Sequence, residues 1–132
     1  MITFDTSGLY SLFIKSDVHH SRALAALRGT PGPRVIPVAI LCEVTYLLER
    51  ESGVRYVLAL LSDIENGAFR LDCGEADLSR IRELVGRYAD LPLGFADAAV
   101  IACAERNLGA VLTFDLRHFG VVAREGTIRI VP

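Results

Sequence analysis

Apolar and polar residues fall along the chain in blocks that predict strands and helices in alternation. "ITF" is a short β-branched and aromatic run that ends at Asp5 and predicts a first strand. "TSGLYSLFI" and "DVHHSRALAALRG" predict two helices, the second capped by Asp17. "GTPGP" reads as a loop and "RVIPV" as a short extended segment leading into a helix around Glu43. "VRYVLALLSDIENG" carries Val54, Val57, Leu58, Leu61 and Ile64 at helical spacing and stops at Gly67. "FRLDC" predicts a strand, and "EADLSRIRELVGRYAD" an amphipathic helix with Leu78, Ile81 and Val85 inward. "LPLG" breaks the pattern before "FADAAVIACAERNLG", a long helix ending at Gly109. "AVLTF" predicts an apolar strand followed directly by Asp115, and "TIRIV" a last short one. Strands alternating with helices over residues 1–132 predict one α/β domain, a three-layer α/β/α sandwich around a short, mainly parallel sheet.

A charge interrupts the most core-like of these helices. In "VAILCEVTYLL" the positions three and four residues from Glu43 are Ala39, Ile40, Tyr46 and Leu47, all apolar. A carboxylate taken out of water costs several kcal/mol unless it is compensated. Three more acids have informative positions. Asp5 directly follows the first strand, Asp115 directly follows "AVLTF", and Asp97 lies in the first turn of the helix leading into "AVLTF". Sites in open parallel sheets form outside the carboxyl ends of the strands, so all four acids have one edge to point into. Each also has a local reading. Asp5 can cap the next helix, although Thr6 and Ser7 serve equally well, and Asp97 can favour the helix dipole. Asp115 can be a turn residue before "LRHFG", and Glu43 can face water if its helix is turned.

Taken together, the acids pose an electrostatic problem. Two unit charges about 4 Å apart repel by about 4 kcal/mol at an effective dielectric of about 20. Protonation or a divalent cation relieves this. Oxygen ligands select hard ions, Mg²⁺ or Mn²⁺, and no His or Cys stands at ligand spacing beside these acids, which argues against zinc. Such an ion suits phosphodiester chemistry, activating water and neutralising charge. The hydroxyls of Ser7 and Thr113, two residues from Asp5 and Asp115, can orient carboxylates or water, or serve only turn and strand-end chemistry.

Composition narrows the setting. With 132 residues, 52% hydrophobic and 23% charged, the chain can bury a real core. Its apolar runs fall short of the roughly 20 residues of a membrane span. "MITFDTSGLY" lacks the basic start and apolar stretch of a signal peptide. Cys42, Cys73 and Cys103 form no CxxC pair and sit in apolar surroundings, which predicts small reduced core residues. The expectation is a cytoplasmic protein with no membrane association. A net charge of -2 exerts no global pull on nucleic acid. Lys15 is the only lysine; the arginines suit bidentate phosphate contacts, or reflect a GC-rich genome.

"ITFDTSGL", "CEVTYLL", "LPLGFADAAVIACA" and "LTFDLRHF" together resemble, in order and spacing, the four acidic motifs of the PIN-domain ribonucleases. Size and the "TFDLRHF" ending resemble the VapC toxins of bacterial type II toxin–antitoxin pairs. The resemblance implies an endoribonuclease dependent on Mg²⁺ or Mn²⁺, acting on tRNA or ribosomal RNA. It also implies a homodimer held inactive by a VapB-type antitoxin. The catalytic and metal-binding acids carry over as Asp5, Glu43, Asp97 and Asp115. Arg117, in the last motif, is a candidate for RNA phosphate contact. His118 is expected to be structural or exposed, His19 and His20 solvated, and Asp90 a helix-end or loop residue. Tyr10, Leu12 and Phe13 are expected in the core or a dimer contact. A nuclease of RNA maturation and a non-catalytic RNA- or protein-binding module remain as alternatives. A haloacid-dehalogenase-type phosphatase is disfavoured because Ser7 stands where that chemistry needs a second Asp.

Overall fold

A computed structural model describes residues 1–132. In chain order the elements are β1 (Ile2–Phe4), α1 (Thr6–Phe13), α2 (His20–Gly29), β2 (Arg34–Pro37), a 3-10 turn (Val38–Ile40), α3 (Leu41–Ser52) and α4 (Val54–Glu65). There follow β3 (Arg70–Asp72), α5 (Leu78–Arg87), α6 (Phe95–Arg106), β4 (Ala110–Leu112), α7 (Leu116–Ala123) and β5 (Arg129–Val131). The strands form one sheet in the order β3-β2-β1-β4-β5, and every pair is parallel.

The chain walks outward from β1 to β3, then returns to the other side of β1 for β4 and β5. Right-handed crossovers therefore place α1–α4 on one face and α5–α7 on the other. Packing agrees: α1 touches α2 and α3, α3 touches α4, and α6 touches α5, α7 and the central strands. The reversal puts the topological switch point between β1 and β4, where a crevice opens at the carboxyl ends of the strands. Phe4 is in register with Leu112, so Asp5 and the segment from Thr113 to Asp115 leave the sheet side by side.

Two features draw that edge tight. Residues Ala98 to Ala104 of α6 are all buried, four of them alanine, so the helix can lie close against β1, β2 and β4. On the other face, α1 crosses β4 at Gly8, where a Cβ would stand 2.2 Å from the carbonyl oxygen of Leu112. Only glycine permits this approach. Farther away, Arg80 of α5 reaches Glu105 of α6 at 2.7 Å and Glu125 beyond α7 at 2.8 Å, tying the second helical layer together.

Several expectations change. Residues 116–123 form α7, which the pattern of the chain did not suggest; Asp115 is its N-cap rather than a simple turn residue. Asp17 does not cap α2, which begins at His20; its carboxylate instead accepts the His19 N–H at 2.8 Å in the preceding turn. On α4, Leu60 is buried while Val54, Leu58 and Leu61 are exposed. The helix packs chiefly on α3, so half of its apolar stripe has nothing to meet. On α5, Ile81 and Leu84 point inward and Leu78 is exposed. Cys103 is buried, but Cys42 and Cys73 are exposed. On α3 the buried spacing runs through Val44 and Leu48, leaving Cys42 on the solvent side. No helix is long and apolar enough to cross a membrane.

Gly8→Ala is expected to push α1 off β4 and lower the melting temperature by roughly 5 °C or more, since overpacking against backbone has no easy relief. Gly86→Ala, where a Cβ meets nothing, serves as the control. Thermal unfolding of both variants checks this.

Candidate active site

The crevice at the switch point is built first by hydrogen bonds. Asp5 is buried and is the N-cap of α1. Its Oδ2 accepts from Ser7 Oγ at 2.8 Å and from Thr113 Oγ1 at 2.8 Å. Each hydroxyl also accepts a backbone N–H: Ser7 Oγ that of Phe114, across the crevice, at 3.0 Å, and Thr113 Oγ1 that of Asp115, on its own strand exit, at 3.0 Å. The two hydroxyls thus lock the exit of β4 to the exit of β1 and hold one oxygen of Asp5. Every side-chain hydrogen bond to Asp5 falls on Oδ2, leaving Oδ1 without a protein side-chain donor.

Asp115 is held by α7. Its Oδ1 accepts the His118 N–H at 3.1 Å, and its Oδ2 lies 2.7 Å from His118 Nδ1. Asp97, in the first turn of α6, brings Oδ2 to 3.8 Å from the same ring nitrogen. Glu43 comes from α3. It is exposed, not sunk in an apolar face as its neighbours suggest, because the buried line of the helix runs through Ile40, Val44 and Leu48. Asp5, Glu43, Asp97 and Asp115 nevertheless line one open cleft of about 290 Å³, with Thr6, Ser7, Tyr10 and Leu47. Four elements deliver the four acids to one place, as the sequence positions suggest.

The electrostatics follow from this crowding. Burial, followed by the charge of Asp5, pushes Asp97 up to about 6; Asp115 and Glu43 add to the shift and His118 opposes it. Asp5 is also raised, because burial outweighs its hydrogen bonds. Burial acts upward on Asp115 too, but the hydrogen bonds from His118 prevail and hold it below the ordinary range.

His118 is the main correction at the site. Asp97, Asp115 and His118 each offer a ligand atom, all within 4.8 Å of one another, so a histidine does stand beside the acids. The spacing becomes meaningful only because α7 starts at Asp115, so that residue i+3 folds back over its own N-cap. With Nδ1 committed to Asp115, the ring orients that carboxylate, an outer-shell role familiar at metal sites. The oxygen donors left facing the cleft fit a hard divalent ion.

Other candidates lie elsewhere. Arg117 is exposed, its Nη2 3.5 Å from the carbonyl of Leu91, outside the cleft. Asp90 is exposed and does not line the cleft. Tyr10 lines it while packing on the core, and Leu12 and Phe13 pack on the core too. The two histidines expected in solvent are engaged: His20 Nδ1 lies 2.8 Å from the carbonyl of Ser11, and His19 stacks on Phe114.

The PIN domain family model matches residues 2–125. The chain belongs to the PIN-domain family. This PIN domain is 31% identical over 120 residues to ribonuclease VapC26 of Mycobacterium tuberculosis (strain ATCC 25618 / H37Rv), covering 89% of each chain. Its fold matches the crystal structure of VapC20 of Mycobacterium tuberculosis, a sarcin–ricin loop cleaving toxin, with a TM-score of 0.81 at 24% identity over 100% of both chains. FitAcB from Neisseria gonorrhoeae matches with a TM-score of 0.65 at 16% identity, over 100% of this chain and 97% of that one.

The shift at Asp97 sets a pH dependence. The unfolded chain releases this proton near its ordinary value of 3.8 and the folded chain near about 6. Between the two the folded state holds more protons, so the stability of the metal-free protein falls as pH rises through this window. Asp5, raised as well, acts in the same sense, whereas the contribution of Asp115 is lost only on acidification below its ordinary range. Asp97→Asn is therefore expected to raise the melting temperature in EDTA at pH 7.5 by a few degrees and to lose most of that advantage near pH 4. Thermal melts across pH check this.

Proposed function

We propose that this PIN domain is an endoribonuclease dependent on Mg²⁺ or Mn²⁺ and the toxin of a type II toxin–antitoxin pair. The observation that carries this reading is the delivery of Asp5, Glu43, Asp97 and Asp115 into one cleft at the switch point of the sheet. Asp5, Asp97 and Asp115 would hold the ion, with Glu43 on the facing wall. A bound divalent ion supplies charge neutralisation and activation of water for in-line attack on a phosphodiester.

The chain's own residues prepare the cleft for this chemistry. Ser7 and Thr113 fix Oδ2 of Asp5, so that Oδ1 presents in one orientation. His118 does the same for Asp115. Glu43, exposed at the wall of the cleft, is placed to accept a proton from an incoming water or to hold that water by a hydrogen bond. The similarity to ribonuclease VapC26 supports RNA as substrate, and the sarcin–ricin loop cleavage of VapC20 supports structured RNA such as ribosomal RNA or tRNA. Two groups of exposed apolar residues suit a homodimer and a VapB-type antitoxin: Tyr46, Val54, Leu58 and Leu61 on α3 and α4, and Val38, Leu78 and Phe95 by the ends of β2 and α6.

Expression without an antitoxin is expected to arrest bacterial growth, and Asp97→Asn to abolish the arrest; equal toxicity from the Asn variant sinks the mechanism. Sequencing of RNA 5′ ends after brief induction, wild type against Asp5→Asn, is expected to reveal new ends in the wild type alone and so to name the target. Mg²⁺ or Mn²⁺ at about 100 times its dissociation constant stabilises by about 2.7 kcal/mol, a rise of several degrees in melting temperature. Asp5→Asn is expected to lose that rise.

A further inference from the structure

We propose that His19, Phe114 and Arg22 form a seat for one nucleotide of a single-stranded RNA segment, built on the residue that precedes Asp115 of the carboxylate cleft. The proposal rests on the ribonuclease reading only in taking RNA as the ligand. Phe114 stands between Thr113 and Asp115 in the chain, and its N–H is held by Ser7 Oγ at 3.0 Å. Its ring is half-buried against the core, so it is a fixed platform. The ring of His19 stacks on it with centroids 4.2 Å apart and an interplanar angle of 8°. The Arg22 guanidinium carbon lies 5.4 Å from the Phe114 centroid.

The supporting turn is rigid. Asp17 Oδ1 accepts both the His19 N–H at 2.8 Å and the Ser11 hydroxyl at 2.9 Å, and the His19 carbonyl accepts the Ala23 N–H at 2.9 Å. His19 and Arg22 are one helical turn apart and reach the same ring. Arg22 is exposed and makes no ion pair, whereas Arg80, Arg87 and Arg106 are all bound to carboxylates. Its N–H donors remain available for a phosphate, while the aromatic face steers the side chain.

These parts answer a need of the cleft. Four acids repel a polyanion, and the net charge of -2 gives no compensating field. A strand reaching the cleft needs a positive contact and a stacking surface outside it, and stacked rings bearing a cation supply both without selecting a base. The seat therefore positions the strand and leaves choice of target to RNA shape.

The test uses the full chain in EDTA with a fluorescein-labelled 12-nucleotide oligouridylate, measured by anisotropy over a range of salt concentrations. Arg22→Ala and His19→Ala are each expected to weaken binding about fivefold or more, with the salt slope reduced by about 0.7 in Arg22→Ala. His19→Phe, which keeps the stack, is expected to retain affinity. Arg28→Ala, the same charge change at the other end of α2, is expected to bind as wild type. Unchanged affinity and slope in Arg22→Ala overturn the proposal, as do equal losses in Arg28→Ala or no binding by the wild type. Melting temperatures within about 2 °C of wild type show that the surface variants fold. Binding is read without cleavage, so a wild type that binds through this seat but cuts no RNA with Mn²⁺ refutes the nuclease reading alone.

Discussion

Mutual repulsion of carboxylates at one edge of a parallel sheet is the constraint around which this molecule is built. Leaving Asp5, Asp97, Asp115 and Glu43 apart would relieve it, but the fold brings them to one cleft. Asp97 shows the cost most plainly, since burial and its neighbours raise it to about 6. The rest of the domain opposes that repulsion. The buried stretch Ala98–Ala104 of α6, the glycine crossing of α1 over β4 and the hydroxyl bonds between the two strand exits hold the acids where they would not settle by themselves.

The hydrogen bonds divide labour among residues of similar type. Ser7 and Thr113 stand two residues from an acid in sequence, yet both act across the crevice: both bind Asp5, Thr113 from the far exit, and Ser7 also takes the backbone N–H of Phe114. This cross-bracing makes Asp5 both a helix cap and a wall of the cleft, so the two local readings of that residue are not rivals. Asp115 has the same double character: its carboxylate caps α7 and binds the ring of His118. Glu43 has no such brace in the protein.

Apart from α7, the strand-helix order, the parallel sheet and the four acids were legible in the chain. β-branched runs ending in Asp and helices with their acids in the first turn are local patterns, and the sheet rule converts them into a shared edge. Less was legible where the outcome depends on what an element packs against. Val54, Leu58 and Leu61 have helical spacing, but α4 has chiefly α3 to lean on and leaves them exposed. Cys42 and Glu43 share an apolar neighbourhood in sequence yet face water, because α3 buries the line through Val44 and Leu48.

Sequence by itself determined the fold class and the candidate acids, because periodicity, residue charge and strand ends are properties of short stretches. Tertiary structure alone decided the rest. It turned Asp115 into a cap and so swung His118 onto it, brought Phe114 under His19 and Arg22 from the far side of the chain order, and made Gly8 indispensable through a 2.2 Å approach to a carbonyl. Each of these depends on distances between segments remote in sequence, and no local pattern encodes a distance.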